Sequence, residues 1–501
     1  MSVSICADIY KEKIRKVALS ASEELLQMTQ EQEPLWVFDS EKSTEFLNEA
    51  EYDRRFIPLD TTLDEIIKLV SGGEPIDQLL SLNEPSTTFK NEASKSIGIV
   101  HGSALSILNI FINAEQWSGA FFNIVSEATT LGVLYPGEVE THNGALQVMT
   151  AKFHLPSPLF TPREVKFARI CRQRDLNTWL VADVSLESVF PFPNQIVPHL
   201  QRRPSGCLIK QLNPGLSMVT WVEHNLVPNG PVHDMLKTLL SSNYAFSAKR
   251  WISTLERYCD QIKGIDREEL GVESKNMLKL SQRMVTCYAR NLIPCKENPW
   301  LPLPIPDAKE IFVRLNTNLD DLGLPRGVSI TIYTSVLLPI PQITLFEFLK
   351  NGSNRSKWDL LSFGSNIKEV MRVSSVRDAT SSISQLMVES PATNKAAKVY
   401  LQESFSDSVG LYVVYAAVDV ATAQYLSTDN VPIVPCGFAI MPAEKPAKLG
   451  LSGSSSILSI CFELVDEKLS STDHLPPNSV LTVHKIVSKT VSLIKDALLG
   501  N

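Results

Sequence analysis

The chain contains no run of about 18 uninterrupted apolar residues, the length a helix needs to cross a bilayer. The nearest stretch, GVSITIYTSVLLPIPQITLFEFL at 327–349, is interrupted by threonines and two prolines. Nor does the opening MSVSICADIYKEKIRK hold an apolar segment of signal-peptide length. Cysteine is sparse: eight in 501 residues, at 6, 171, 207, 259, 287, 295, 436 and 461, with no C-x-x-C pair and no H-x-x-x-H partner. That spacing argues against a zinc framework or a disulfide scaffold and fits reduced thiols in a reducing compartment. There the sequons at Asn351 and Asn354 meet no glycosylation machinery. Base is outnumbered by acid, 47 Lys and Arg against 55 Asp and Glu. The net charge of −8 argues against a chain whose main work is gripping phosphate backbones. Enzyme signatures are missing as well. G-x-S-x-G, G-x-G-x-x-G, the P-loop pattern G-x-x-x-x-G-K-S/T and H-E-x-x-H do not occur, and GLSGSS has the wrong spacing for the first.

What is present is the composition of a folded protein, 44% hydrophobic and 20% charged, in a chain long enough for two or three domains. Helical spacing of Ile14, Val17, Ala18, Ala21, Leu25 and Met28 predicts a helix over 11–30. A Gly/Ser/Pro-marked stretch over 71–96 reads as a loop. Short strands punctuated by Pro156, Pro158, Pro162, Gly206 and Gly215 are expected between 144 and 227. One long helix is expected from Val232 to Lys263, with Pro231 at its start and Gly264 as its stop, and Trp251, Leu255, Tyr258 and Ile262 along one stripe. A connector with five prolines in thirteen residues follows at 294–306. A closing helix is expected from about Val480, capped by Asn478 or Ser479, with Val483, Ile486, Val487, Ile494 and Leu498 on its apolar face.

The two halves read as one plan used twice. Each has a helix, a tryptophan in a polar stretch (Trp117, Trp358), and strands, one of which ends near an aspartate (Asp183, Asp419). Each then has a Pro-x-Gly-x-x-Ile strand (Pro204 to Ile209, Pro435 to Ile440), a strand with a late glutamate (Glu223, Glu463) and a long amphipathic helix. The spacings differ by several residues, so diverged copies are expected rather than a repeat of fixed period.

Residues two apart in a strand share a face. Arg169 therefore sits with Val165, Phe167 and Cys171, Asp183 with Trp179 and Val181, and Glu223 with Val219 and Trp221. A charge buried alone costs several kcal/mol, on the order of what a small domain can spare, so each must be paired or meet something polar. Two readings stand: strand ends facing solvent, or polar points in an apolar cavity that orient an amphipathic ligand. His224 falls on the opposite face and reads as structural. Arg163, Lys166, Arg169, Arg172 and Arg174, with Arg202 and Arg203, read as a solvated basic face, the alternative being a phosphate-headgroup contact.

The stretch RRPSGCLIKQLNPGLSMVTWVEH (202–224), with LLSSNYAFSAKRWISTLERYCDQI, NGALQVMTAKFHLPSPLFTPRE, WLVADVSLES and QWSGAFFNIVSEATTLGVL, resembles the START domain of plant class IV homeodomain–leucine zipper transcription factors. NRSKWDLLSFGSNIKEV, LQESFSDSVGLYVVYAAVDV and PCGFAIMP resemble the domain next to it in the same proteins, and the likeness runs from about 16 to 499. It implies an α+β chain: a START-like helix-grip domain, a curved antiparallel sheet closed by a long C-terminal helix, followed by a second, diverged START-like domain. The expected boundaries are 1–70 for an N-terminal helix and acidic segment, 71–95 loop, 96–264 START core, 265–310 helix and Pro-rich connector, and 311–501 for the adjacent domain. The resemblance further implies a tunnel for a lipid (phospholipid, sphingolipid or sterol) with Arg169, Asp183, Glu223, Trp179 and Trp221 as its contacts. No other cofactor is expected. The implied role is a non-catalytic lipid-binding module of a nuclear transcriptional regulator, with the cytoplasm as the other setting, whose partners are regulatory proteins or family members. The alternatives are a ligand-free interaction scaffold and a transcription factor whose DNA-reading part lies outside this sequence. No homeodomain recognition-helix signature follows any of the seven tryptophans, no sustained leucine heptad precedes residue 30, and the turn is Asn-Pro-Gly where relatives have Pro-Asn-Gly. Direct DNA contact and a membrane span are therefore not expected of this chain.

Overall fold

The computed structural model describes residues 2–40, 44–56, 89–186, 200–266, 271–295, 297–305, 310–318, 320–375, 378, 380–389, 398–418, 428–443, 455–465 and 477–500. In chain order the first half runs α1 (Ser2–Gln30), β1 (Trp36–Asp39), β2 (Thr44–Leu47), α2 (Glu49–Phe56), β3 (Phe89–His101), α3 (Ala104–Ile112), α4 (Ala114–Ala120), β4 (Val125–Tyr135), β5 (Leu146–Phe153), β6 (Arg163–Asp175), β7 (Thr178–Ser185), β8 (Gln201–Arg202), β9 (Ser205–Asn213), β10 (Leu216–Pro228), α5 (Asp234–Ser241) and α6 (Ala248–Asp266). The second half runs α7 (Val272–Asn291), β11 (Leu301–Pro302), β12 (Ile311–Asn318), β13 (Gly327–Leu338), α8 (Gln342–Lys350), α9 (Arg355–Trp358), β14 (Asn366–Ser374), β15 (Ser382–Glu389), β16 (Lys398–Ser406), β17 (Leu411–Val418), β18 (Cys436–Pro442), β19 (Ser456–Val465) and α10 (Pro477–Leu499).

All described strand pairs are antiparallel, in two sheets of matching order. The first is β1-β2-β3-β10-β9-β7-β6-β5-β4, with β8 on β10; the second is β11-β12-β13-β19-β18-β17-β16-β15-β14. In each, the strand before the two short helices pairs with the last strand. A long helix then closes one face, and the helix that opens the half covers the other. α1 buries Ile14, Ala18, Leu25 and Met28 against the outer residues Ala168, Ile170, Leu180 and Val222. α7 does the same with Met284, Val285 and Tyr288 against Tyr412, Val414 and Ala439. With both faces covered, the central strands lose the polar/apolar alternation of a half-exposed sheet, as in the fully buried stretch Thr178–Asp183 of β7.

The proline–glycine motifs mark the same place in the two halves. Gly206 pairs with Ala182 and Val222, and Gly437 with Val414 and Cys461. A Cβ on Gly206 would stand 2.1 Å from the Val181 carbonyl oxygen, and one on Gly437 2.8 Å from that of Val413. Only glycine lets β9 and β18 approach their neighbours this closely. At the β9–β10 hairpin, Pro214 and Gly215 are the two central residues, and Gly215 has φ +85°, as a type II turn requires.

The register corrects the matching of charges between the halves. Asp183 is equivalent to Tyr415 and Glu223 to Phe462, while Asp419 lies outside the described residues. Arg169, opposite Asp183, corresponds to Gln402, opposite Tyr415. The helix expected over 232–263 is two helices: Ser242 closes the first onto Thr238, and Asn243 takes a left-handed φ of 64°, which an α-helix cannot continue through. Gly264 lies inside α6 rather than stopping it; a Cβ there would meet Leu278 of α7 at 3.2 Å. Residues 89–95 of the expected loop are strand, paired with β10, and 57–88 lie outside the described residues. Asn478 and Ser479 are within α10, not ahead of it. Among the described residues no helix is long and apolar enough to cross a membrane.

Candidate functional site

The inner face of the first sheet, under α6, brings together four of the five residues singled out in the sequence. Arg169 on β6 donates from Nε and Nη2 to the two carboxylate oxygens of Asp183 on β7, at 2.7 and 2.8 Å, and from Nη1 to the Phe111 carbonyl at 2.9 Å. Arg202 on β8 donates from Nη1 to both oxygens of Glu223 on β10 at 2.7 and 2.8 Å, and its Nε lies 3.4 Å from Asp183. The four side chains form one chain of alternating charge, each at most 2% exposed. The charges sum to zero, which is how a buried set of ions avoids the cost of an uncompensated one. Burial pushes the Glu223 carboxyl up to about 7 against the pull of Arg202.

Aromatic rings surround these ions. Trp251 of α6 stacks on Trp221 of β10 with centroids 5.0 Å apart and planes 14° from parallel, and Trp117 of α4 also lies parallel to it, at 6.1 Å and 8°. The Arg169 guanidinium sits 4.1 Å from the Trp117 ring centre, within cation–π range. Phe153 meets Trp251 edge-on at 5.6 Å and Phe121 tilts against it at 5.0 Å. A side chain lining a hollow wide enough for water keeps some accessible surface, closed off or not. Trp117, Trp251, Phe121 and Phe167 have none.

Trp179 belongs to the same apolar core but is not part of the stack. The indole N–H groups of Trp117, Trp179, Trp221 and Trp251 are buried, with no acceptor among the described residues. His224 points to the opposite face, where its ring meets Tyr52 of α2 edge-on at 4.8 Å; burial pulls it down to about 3, so it stays neutral. The basic residues do not form one solvated face: Lys166, Arg174 and Arg203 are exposed, but the others are not. Arg163 is held by Glu92 at 2.7 Å and Arg172 by Glu23, while Arg169 and Arg202 are buried. Arg202 was legible only as one of a basic pair, because a two-residue strand gives no alternation. In the sequence Trp117 marks the repeated plan and Trp251 a helical stripe, and nothing there signals that they touch.

Among the described residues the second half carries no such ion chain. Gln402 donates to the Lys350 carbonyl at 2.8 Å, at the end of α8, as Arg169 does to Phe111 at the end of α3. Tyr415 and Phe462 stand where Asp183 and Glu223 stand in the first. Arg355 lies over the rings of Tyr415 and Tyr400 at 3.9 and 4.0 Å and donates to Asp359 at 2.8 Å.

A helix-gripped sheet with a polar cluster on its inner face, repeated in diverged form, defines the class: a START domain followed by a START-like partner. The START domain family matches residues 16–261, and the family described as PDF2-like, C-terminal domain matches 272–499. Homeobox-leucine zipper protein ROC8 of Oryza sativa subsp. japonica is 31% identical, over 98% of this chain and 71% of its own length. Homeobox-leucine zipper proteins HDG1 and ANTHOCYANINLESS 2 of Arabidopsis thaliana are 31% and 30% identical over 96% and 97% of this chain. The chain belongs to this plant family, class IV of the homeodomain–leucine zipper proteins, and spans 60% of the length of each of those two relatives. Among solved structures, human StAR-related lipid transfer protein 5 is 14% identical with a TM-score of 0.26, covering 41% of this chain and 100% of its own. That superposition is too loose to carry an argument.

Proposed function

We propose that the chain is a non-catalytic regulatory module that acts in the nucleus through protein partners, and that its START interior is filled by the protein's own side chains. The observation that carries this reading is the stack of Trp117, Trp251 and Trp221, three large buried rings that meet where the first turn of the closing helix packs on the sheet. The non-catalytic part draws support from the interior ions, whose acids and bases are each held by hydrogen bonds to one another. The transcriptional setting draws support from the relatives, all homeobox-leucine zipper proteins by name. Regulatory proteins and other family members are the partners this reading supplies, with no DNA contact by this chain.

One observation favours a second reading, a START domain that takes up a phospholipid, sphingolipid or sterol. Four buried indole donors lack acceptors among the described residues, and an unmet buried donor costs about 1–3 kcal/mol. Oxygens of an amphipathic guest would satisfy them, once the stack had parted to admit it. The two readings separate on incubation of the purified chain with vesicles of mixed phospholipid, sphingolipid and sterol, followed by re-isolation and thermal unfolding. An unchanged transition supports the filled interior. An upward shift, lost in Arg169→Ala, supports the guest, since a ligand of the folded state alone must stabilise it.

A further inference from the structure

We infer that the second domain is a latch on the START closing helix, so that lifting α6 from its sheet and parting the two domains are one event. α6 is two-faced. Trp251, Leu255 and Cys259, at i, i+4 and i+8, enter the START core. Arg250, Thr254, Arg257 and Gln261, at i, i+4, i+7 and i+11, are also buried or nearly so, yet they carry polar groups. Helical periodicity puts these sets on different faces.

The polar face is held by one hairpin of the second domain. Asp407, in the turn between β16 and β17, accepts from Arg250 Nε at 3.0 Å, and from Asn123 of the START domain at 2.8 Å. Arg250 also donates to the carbonyls of Asn123 and Ala245, at 2.6 and 2.7 Å. Glu403 on β16 accepts from Arg257 at 2.7 Å, from Gln261 at 2.8 Å and from Ser281 of α7. The Arg257 guanidinium lies between Phe122 of the START domain, at 4.9 Å, and Phe405 of the hairpin, at 4.6 Å.

Arg250 and Arg257 are seven residues apart, about 10 Å along a helix, so the hairpin grips α6 at two levels. Both carboxylates are no more than 3% exposed. A buried ion pair adds little net stability but is costly to break on one side, because the stranded charge is left in a poor solvent. Such a contact behaves as a two-position fastener rather than a graded one. Val409, Met441 and Ile457 of the second domain complete the START core beside it, so the same movement would also expose apolar surface. The latch rests on α6 being the lid over the interior, and it holds whether that interior is filled by side chains or by a guest.

The test compares the 501-residue chain with its Asp407→Asn/Glu403→Gln double variant by hydrogen–deuterium exchange. A second variant, Val483→Ala, weakens the second domain in its own core, away from α6. The latch predicts that amides of α6 exchange at least tenfold faster in the double variant while β16–β19 keep their protection. It also predicts that the double variant binds the dye 1-anilinonaphthalene-8-sulfonate more strongly than either other protein. Unchanged exchange in α6, or equal acceleration in Val483→Ala, overturns it. Lipid extracted from the same samples is scored separately: lipid in the unaltered chain would overturn the filled interior and leave the exchange comparison intact.

Discussion

Trp251 lies face to face with Trp221 across the joint between the closing helix and β10, ring centres 5.0 Å apart and planes within 14° of parallel. On the proposed filled interior, this stacked pair takes the place a guest would need at that level. Trp251→Ala removes the ring on which both other indoles stack. The expected loss is about 3–5 kcal/mol, the range for truncating a large buried aromatic, read as an earlier first transition in denaturant unfolding of the whole chain.

The ion chain predicts a particular non-additivity. Arg202→Leu strands Glu223 and leaves Asp183 with Arg169 alone, at a cost of about 3–5 kcal/mol. Arg202→Leu with Glu223→Leu removes a matched pair and is expected to cost less than the single change. A double-mutant cycle by urea unfolding checks the sign. Additive losses would mean that the two residues are not coupled.

Gly206→Ala and Gly437→Ala test the equivalence of the two motifs. The first sets a Cβ 2.1 Å from a backbone oxygen at a φ of +135°, and the second sets one at 2.8 Å. Both destabilise, and Gly206→Ala is expected to be the worse, with a sharp fall in soluble yield where Gly437→Ala lowers the melting temperature only. The reverse order would break the correspondence between β9 and β18.

His224 predicts a pH dependence. Its folded-state value of about 3 lies below its ordinary 6.5, so from pH 6.5 downward the unfolded chain takes up a proton that the folded chain refuses. Stability from this group is complete above pH 6.5 and is lost toward pH 3, at up to about 1.4 kcal/mol per pH unit. Glu223, held up at about 7, works the other way between its ordinary value of 4.5 and 7, gaining stability as pH falls. His224→Phe keeps the edge contact with Tyr52 and removes the proton. Between pH 7 and 5 the two groups oppose each other in the unaltered chain, so the urea midpoint of this variant is expected to rise from pH 7 to 5 relative to that of the unaltered chain.

The elements with strong local signals were legible in the sequence. Helical spacing from Ile14 to Met28 predicted α1, and the paired Pro-x-Gly-x-x-Ile strands predicted a repeated plan because glycine is demanded there by a backbone approach. Alternation along β6, β7 and β10 put Arg169, Asp183 and Glu223 on the inner face, where they are. Their partners were not legible. Arg202 arrives from a two-residue strand, and Trp251 meets Trp117 and Trp221 from elements far apart in sequence, so no local pattern records the contact. The break at Asn243 does carry a local signal, Ser241-Ser242-Asn243-Tyr244, a run of weak helix formers that the apolar spacing on either side outweighs. The matching of Asp183 with Asp419 failed for a simpler reason. The copies have kept the fold while exchanging the polar inner face for an aromatic one, so residue type no longer marks position.

Native mass spectrometry of the freshly purified 501-residue chain, recorded under conditions gentle enough to retain bound lipid, probes the filled interior itself. A single species at the mass of the polypeptide is predicted, unchanged after exposure to phospholipid, sphingolipid and sterol. A stoichiometric second species, heavier by one lipid and abolished by Arg169→Ala, would contradict it.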